Sequence, residues 1–447
     1  MPTRGLILAT ACLAILGGLI WWTSREKSPE DLAKESTSKS RKLLSPLEAD
    51  LVEIRIMPKG GAPRIFTKDQ STNSWILESM RAVEPGFRTD YDAATSTANN
   101  AAIFPTDKTV DENATDLIQY GLDPPQVVIT VKDKSGKTDT VHLGDATPVG
   151  MMVYAAKPGE KKVYTVAKYL YEGVTKPLEE YRDKRLTPFA EGKISQLEIT
   201  QPGKTLKLGK NGGGEWQVVT PDPMRADNLG VQELVRKLQE AKYATRLTGA
   251  EAKQSLGRFQ GAQPAVTFNI TDASGAMKLE VRKTKEDKYL AKSTEHEAAY
   301  ELEEEIAKTL TKDLEEYRNK KLFTFGFDDI DRVEVKKDGK TTLLEKKGSD
   351  WQLSGKKADA ATVQPVVDQL RAMAALKFAK QKMTTAFLEI QTRREGTNST
   401  ETVLVSKDGN FYFAQRKGEA TEYEMDPQVI RDFESALGAV KLEGTKK

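Results

Sequence analysis

Residues 178–186 read LEEYRDKRL, and residues 314–322 read LEEYRNKKL. Seven of the nine positions are identical, and the two changes, Asp183/Asn319 and Arg185/Lys321, are conservative. A phrase written twice at a spacing of 136 residues constrains the fold more tightly than any compositional figure. The chain must be built from copies, and the core of one copy must be reproducible in the next.

The neighbouring residues extend the repeat. Each phrase runs into a strand pattern, KRLTPFAEGKISQLEI (184–199) and KKLFTFGFDDIDRVEV (320–335), and a third opening, RKLLSPLEADLVEIRI, occupies 41–56. Counted from Leu43, Leu186 and Leu322, apolar residues recur eight, eleven and thirteen positions later: Leu51, Ile54, Ile56; Ile194, Leu197, Ile199; Ile330, Val333, Val335. The alternation of the last two predicts a half-buried strand. A hairpin turn follows in each, at Gly60-Gly61, Pro202-Gly203 and Asp338-Gly339. A single Trp comes next, at Trp75, Trp216 and Trp351, and these three are expected to share one core position on the following helix. VQELVRKL (231–238) and VQPVVDQL (363–370) place their apolar residues on one helical face, with 92–104 as the weaker counterpart in the first copy. Pro365 puts the start of the third helix near Ala361 or Thr362. Paired strands follow, VVITV/TVHLG, AVTFNI/MKLEV and LEIQT/TVLVS, then a Tyr-led strand and a closing helix.

The fold class is therefore α+β: three tandem copies of a mostly antiparallel sheet with helices, at residues 41–186, 187–322 and 323–447. Each is long enough to bury its own core, unlike the 20–50-residue repeats of solenoids. The phrase itself reads as helix, with Leu178, Tyr181 and Leu186 on one face and Glu180 and Lys184 paired one turn apart. The closing helix of the third copy, VIRDFESALGAVKL (429–442), lacks it. It is thus expected to be a junction that docks one copy on the next. Tyr181 and Tyr317 would bury their rings near the start of the following copy, and Arg182 and Arg318 would reach carboxylates or carbonyls there.

Ahead of the copies, residues 5–22 (GLILATACLAILGGLIWW) carry no charge. At 1.5 Å per residue such a helix is roughly 27 Å long, close to a hydrocarbon core of about 30 Å. Trp21 and Trp22 end the run where an interfacial aromatic belt belongs. A cleaved signal peptide would need a shorter apolar region followed by small residues, and Ala9-Thr10-Ala11 leaves too little apolar chain before it. Residues 1–23 are read as an uncleaved signal anchor, single-pass in the inner membrane, with the body exported to the periplasmic side. Residues 24–40 are polar and without apolar periodicity, a flexible tether.

The remaining composition excludes much chemistry. The 68 basic and 66 acidic residues nearly cancel, so the basic excess of a nucleic-acid binder is missing. Cys12, the single cysteine, lies in the apolar run, which rules out Cys-type structural zinc, disulfides and a thiol nucleophile in the body. Gly-Lys-Thr occurs at 136–138, 203–205 and 339–341, but a phosphate loop needs a Gly five residues earlier, where Val131, Glu198 and Glu334 stand. These are hairpin turns. In HEAAY (296–300) Tyr300 replaces the second His of a helical zinc site, and His142 reads as a strand residue. Acidic runs such as Glu303-Glu304-Glu305 read as solvated faces. No catalytic, metal or cofactor residue is assigned.

YGLDPP (120–125), the strand VVITV, HLGDATPVGMMVYAA (142–156) and VYTV (163–166) resemble a bacterial domain-of-unknown-function family of repeated α+β domains. Its members are often encoded beside gliding-motility-type ABC transporter genes. The resemblance covers most of 41–325, with LEEYRDKRL as a second match, and it brings no catalytic set. It implies a non-enzymatic envelope protein, scaffold or accessory subunit of a membrane complex, partnered by the membrane and by protein. A tethered cell-wall or glycan-binding module is the alternative, which would display aromatics along one face of the copies.

Overall fold

Alternating apolar and polar residues build three sheets, all of whose strand pairs are antiparallel. The computed structural model describes residues 42–44, 50–190, 192–273, 275–326 and 330–444; the apolar run 5–22 and the polar stretch 24–40 lie outside the described residues. Among the described residues no helix is long and apolar enough to cross a membrane.

The first sheet contains β1 (Leu51–Pro58), β2 (Arg64–Lys68), β3 (Trp75–Leu77), β4 (Thr109–Asp111), β5 (Val127–Asp133), β6 (Thr138–Ala146), β7 (Met152–Ala156) and β8 (Val163–Ala167), in the order β3-β2-β1-β5-β6-β7-β8-β4. The second contains β9 (Gln196–Gln201), β10 (Lys204–Lys210), β11 (Trp216–Thr220), β12 (Met224–Arg225), β13 (Gln263–Asp272), β14 (Gly275–Lys283), β15 (Tyr289–Ser293) and β16 (Ala299–Glu301), in the order β12-β11-β10-β9-β13-β14-β15-β16. The third, from β17 (Ile330–Lys337), β18 (Lys340–Lys347) and β19 (Asp350–Leu353) through β20 (Lys356–Lys357), β21 (Lys377–Phe378), β22 (Ala386–Arg394), β23 (Thr400–Asp408) and β24 (Phe411–Arg416) to β25 (Glu422–Met425), follows the same plan, with β21 added at its edge. In every sheet the opening strand is central. The first hairpin lies on one side of it and the later meander on the other.

The nine apolar positions counted from the opening leucines are all buried. Gly203 and Gly339 turn their hairpins at φ 77°, a left-handed conformation that glycine adopts without strain.

One long helix crosses each sheet: α2 (Tyr91–Ile103), α4 (Asn228–Glu240) and α7 (Ala360–Ala372); a short helix, α1 (Glu78–Val83), precedes the first of these. The third begins at Ala360 with Pro365 inside it, since a proline in the second turn removes one backbone bond without displacing the start. Each helix has an aspartate N-cap, Asp90, Asp227 and Asp359, whose carboxylate accepts from backbone N–H groups of the first turn. At the other end the opening leucine of the copy donates to the C-cap carbonyl: Leu43 to Phe104 (3.0 Å), Leu186 to Ala241 (2.8 Å) and Leu322 to Met373 (3.0 Å). The repeat inferred from spacing is thus reproduced bond for bond.

Shorter helices follow the meanders: α3 (Lys168–Val174), α6 (Glu304–Leu310) and α8 (Pro427–Gly438). α5 (Gly249–Gln260) has no α-helical counterpart after α2 or α7. Its contact residues Ala252 and Phe259 stand seven apart, a helical spacing visible in the sequence but without a partner copy to mark it.

The described chain divides into two compact units, residues up to Asp183 and residues from Lys184 onward. The first unit holds the first sheet. The second holds the other two, and one continuous hydrophobic core runs through both, from Leu186 to Phe433.

Trp75, Trp216 and Trp351 lie on β3, β11 and β19, each opposite a lysine of the preceding strand, Lys68, Lys210 and Lys346. Trp75 and Trp216 are each 4 % exposed, whereas Trp351 is half-buried. Trp75→Ala and Trp216→Ala should therefore each lose about 3–5 kcal/mol of stability in urea unfolding of their own unit. Trp351→Ala should lose visibly less, and equal losses at all three would contradict the difference in packing.

Candidate functional site

The repeated phrase is not an α-helix. Leu178–Tyr181 and Leu314–Tyr317 each form one 3-10 turn, after which Arg182 and Arg318 are extended. The face shared by Leu178, Tyr181 and Leu186 and the one-turn pairing of Glu180 with Lys184 accordingly give way to a different geometry. Pro177 and Asp313 precede the turns, and the chain straightens because its backbone is needed as a strand. Arg182 bridges Thr89 and Arg318 bridges Ala226, just before the helix of the same copy. The Tyr181 carbonyl accepts from Asp90 N–H (2.8 Å) and the Tyr317 carbonyl from Asp227 N–H (2.9 Å). In the third copy Lys441 and Leu442 make the same bonds, to Asp359 (2.9 Å) and Ala358, without Tyr or Arg.

The side chains close their own copies. Tyr181 is fully buried, its hydroxyl 2.9 Å from the Thr97 hydroxyl and its ring edge-on to Phe66 at 5.1 Å. Tyr317 donates to the Thr309 carbonyl at 3.2 Å. Burial pushes both phenols above their ordinary pKa. Arg182 is gripped by Glu179 (2.8 and 3.0 Å) and Glu84 (2.9 and 2.7 Å), and it lies over Phe87. All these partners belong to the first copy. Hydrogen bonding to Glu179 and Glu84 outweighs the opposing effect of burial and raises the Arg182 pKa further.

Arg318 behaves differently. Glu315 of its own copy holds it (2.9 Å), but its guanidinium stacks 3.8 Å above the ring of Phe378, on the third sheet. Beside it, Arg225 pairs with Glu419 of the third copy at 2.7 Å and donates to the Lys321 carbonyl. Glu419 also accepts from Arg416 and from the Tyr423 hydroxyl, and Arg416 pairs with Glu401 at 2.8 Å. These largely sequestered ions fix the second sheet to the third within one unit. Sequence spacing does not pair Arg225 with Glu419, 194 residues away. The basic-small-Asp triplets Arg88-Thr89-Asp90, Arg225-Ala226-Asp227 and Lys357-Ala358-Asp359 are, by contrast, a readable mark of the three helix starts.

An open groove of about 750 Å³ runs beside this joint, with Phe378, Arg318, Lys320, Lys380, Glu315 and Glu422 among its lining. It is open and as polar as it is apolar, unlike the enclosed, mostly apolar cavities that bury small ligands. A smaller pocket of about 300 Å³ lies beside α5, where Tyr243 and Tyr300 stack at 4.8 Å. Both rings are nearly buried and so offer little platform to a sugar.

His142 lies on β6 with its pKa lowered by burial, and His296 packs on Tyr243 with Nε2 2.8 Å from the Arg185 carbonyl. Among the described residues no three His, Cys, Asp or Glu gather in a metal-holding group. In the YGLDPP stretch Gly121 caps a 3-10 turn in the left-handed region, and a Cβ on Gly144 would run into the Tyr120 carbonyl. The motif that carries the resemblance is a packing device.

A chain of repeated antiparallel sheets, with its buried tyrosines closing the first two copies, defines a class of tandem α+β domain protein. The chain belongs to the family described as Domain of unknown function (DUF4340), which matches residues 81–217 and again 216–389. Each matched segment contains one LEEYR phrase. Comparison with the curated proteins finds no match, and neither does comparison with the solved structures.

Burial works to raise the Glu401 carboxyl, but hydrogen bonds from Thr324 and the neighbouring Arg416 outweigh it and hold the group below the ordinary glutamate value. A depressed folded-state pKa contributes stability at higher pH that is lost as pH falls through the folded value. The melting temperature of the second unit should therefore drop as pH falls below about 4.3, and Glu401→Gln should lower it at neutral pH while flattening that dependence. A variant as acid-sensitive as the parent in calorimetry would show that Glu401 is not the group responsible.

Proposed function

We propose that the chain is a non-enzymatic, membrane-anchored envelope protein, single-pass in the inner membrane with its body on the periplasmic side. It acts as scaffold or accessory subunit of a membrane complex, of the ABC transporter type that the gliding-motility resemblance implies. The observation that carries this reading is the uncharged run at 5–22, ahead of a polar stretch and a series of repeated sheets. The surface supports a protein partner over a glycan. Of the twelve large hydrophobic side chains exposed among the described residues, nine are aliphatic or Met; the aromatic three, Tyr91, Tyr169 and Phe411, sit on α2, α3 and β24 rather than along one repeated face. Sugar-binding surfaces rely on accessible rings, whereas protein contacts use exposed apolar area of either kind.

Protease added outside spheroplasts should digest the body while a cytoplasmic control survives, and the chain should remain with the membrane fraction. In mild detergent it should migrate well above its own 49.5 kDa together with transporter subunits. A body protected as well as the control would sink the export reading, and a chain migrating alone would sink the accessory role.

A further inference from the structure

Three of the eight large hydrophobic side chains exposed in the first unit stand together at one place. Val149 (85 % exposed) and Met151 (71 %) lie in the loop between β6 and β7, and Tyr169 (65 %) lies at the start of α3. Backbone bonds hold the loop in shape: Gly150 N–H to Thr147, Thr147 N–H to Met152, and Lys168 N–H to Met151, the last joining loop to helix at 3.1 Å. The three side chains therefore protrude from a fixed tip and are not packed by it.

The tip shares an end of the unit with the point where the chain enters it. Lys42 bridges Pro105, and Leu43 donates to Phe104. From there the chain leads into β4, whose approach pairs with β8: Asp107 N–H donates to Thr165, and Thr165 N–H donates to Lys108. In this antiparallel pairing, moving back from Asp107 to Pro105 corresponds to moving forward from Thr165 to Lys168 and Tyr169. Lys42, Lys108 and Lys168, all exposed, lie at this same end. Nineteen residues, 23–41, separate the uncharged run 5–22 from Lys42.

We propose that the tip formed by Val149, Met151 and Tyr169 is a second membrane contact, inserted at the headgroup boundary of the bilayer that holds the N-terminal run. The inference rests on the anchored reading above. So few residues between the run and Lys42 keep the lipid surface within reach of the end that carries the tip. Apolar side chains with a tyrosine among them suit the interface, and flanking lysines suit anionic headgroups. A rigid tip at that depth would fix one face of the first unit toward the membrane, where a free tether would not.

The test uses the full chain in phosphatidylethanolamine/phosphatidylglycerol vesicles, with Cys12→Ser and Val149→Cys so that an environment-sensitive fluorophore sits on the tip. Phe411→Cys on the third sheet serves as the control. The expected result is a blue-shifted Val149-site emission, quenched by lipids bearing a shallow nitroxide, and a shift reversed by Met151→Asp with Tyr169→Asp. The control label should stay water-like. An aqueous, unquenched tip on a chain that floats with the vesicles overturns the proposal while leaving the anchor intact. A blue shift without lipid quenching, or one that grows with protein concentration, assigns the tip to a protein partner or a second copy and equally overturns it. A chain that fails to float removes the anchored reading, and this contact with it.

Discussion

The interaction on which every copy depends is a pair of backbone clamps on its long helix. The entering chain donates from its opening leucine to the helix C-cap, and the departing chain accepts, through Tyr181, Tyr317 or Lys441, from the N-cap aspartate. Both clamps use main-chain groups that a helix end otherwise leaves unpaired. They also hold the two ends of the copy against one element, so the helix covers its sheet only when the copy is entered and left correctly. The buried tyrosines add packing to a geometry that the backbone already sets.

Much of this was legible in the sequence. The opening strands, hairpin glycines, tryptophans and long helices follow from period-2 and period-3.6 spacing that the copies repeat and so corroborate. The phrase LEEYR was legible as important but misleading in form. Glu-rich residues around a Leu and a Tyr satisfy helical spacing, yet the turn stops at Tyr181 because Arg182 is required as a strand partner of Thr89. Local propensity carries no information about that long-range demand. The joint of the second and third sheets was illegible for the same reason. Arg225, Glu419, Arg416 and Glu401 make one network, but no periodicity relates them.

Arg182 and Arg318 show how one motif serves two settings. Each is held by the glutamate three residues before it, Glu179 or Glu315, and each lies on a phenylalanine ring. For Arg182 that ring, Phe87, belongs to its own copy; for Arg318 it is Phe378 of the next sheet. A planar cation presents two faces and five donors, so it can satisfy local acids and still stack on whatever ring the surroundings supply. The family match is likewise out of phase with the sheets. Each matched segment runs from the region of one Trp strand to the next or beyond it, spanning the later half of one sheet, the phrase and the opening hairpin of the following sheet.

The departing clamp is made three times, by Tyr-Arg-Asp, Tyr-Arg-Asn and Lys-Leu-Glu, with the same main-chain pattern under different side chains. A joint written in main-chain bonds tolerates almost any residue other than proline at its donor positions. Such a chain can grow or shrink by whole modules through duplication and loss of coding sequence, because each module brings its own clamp with it. The side chains at each seam are then free to diverge, one toward closing its own module and another toward gripping its neighbour.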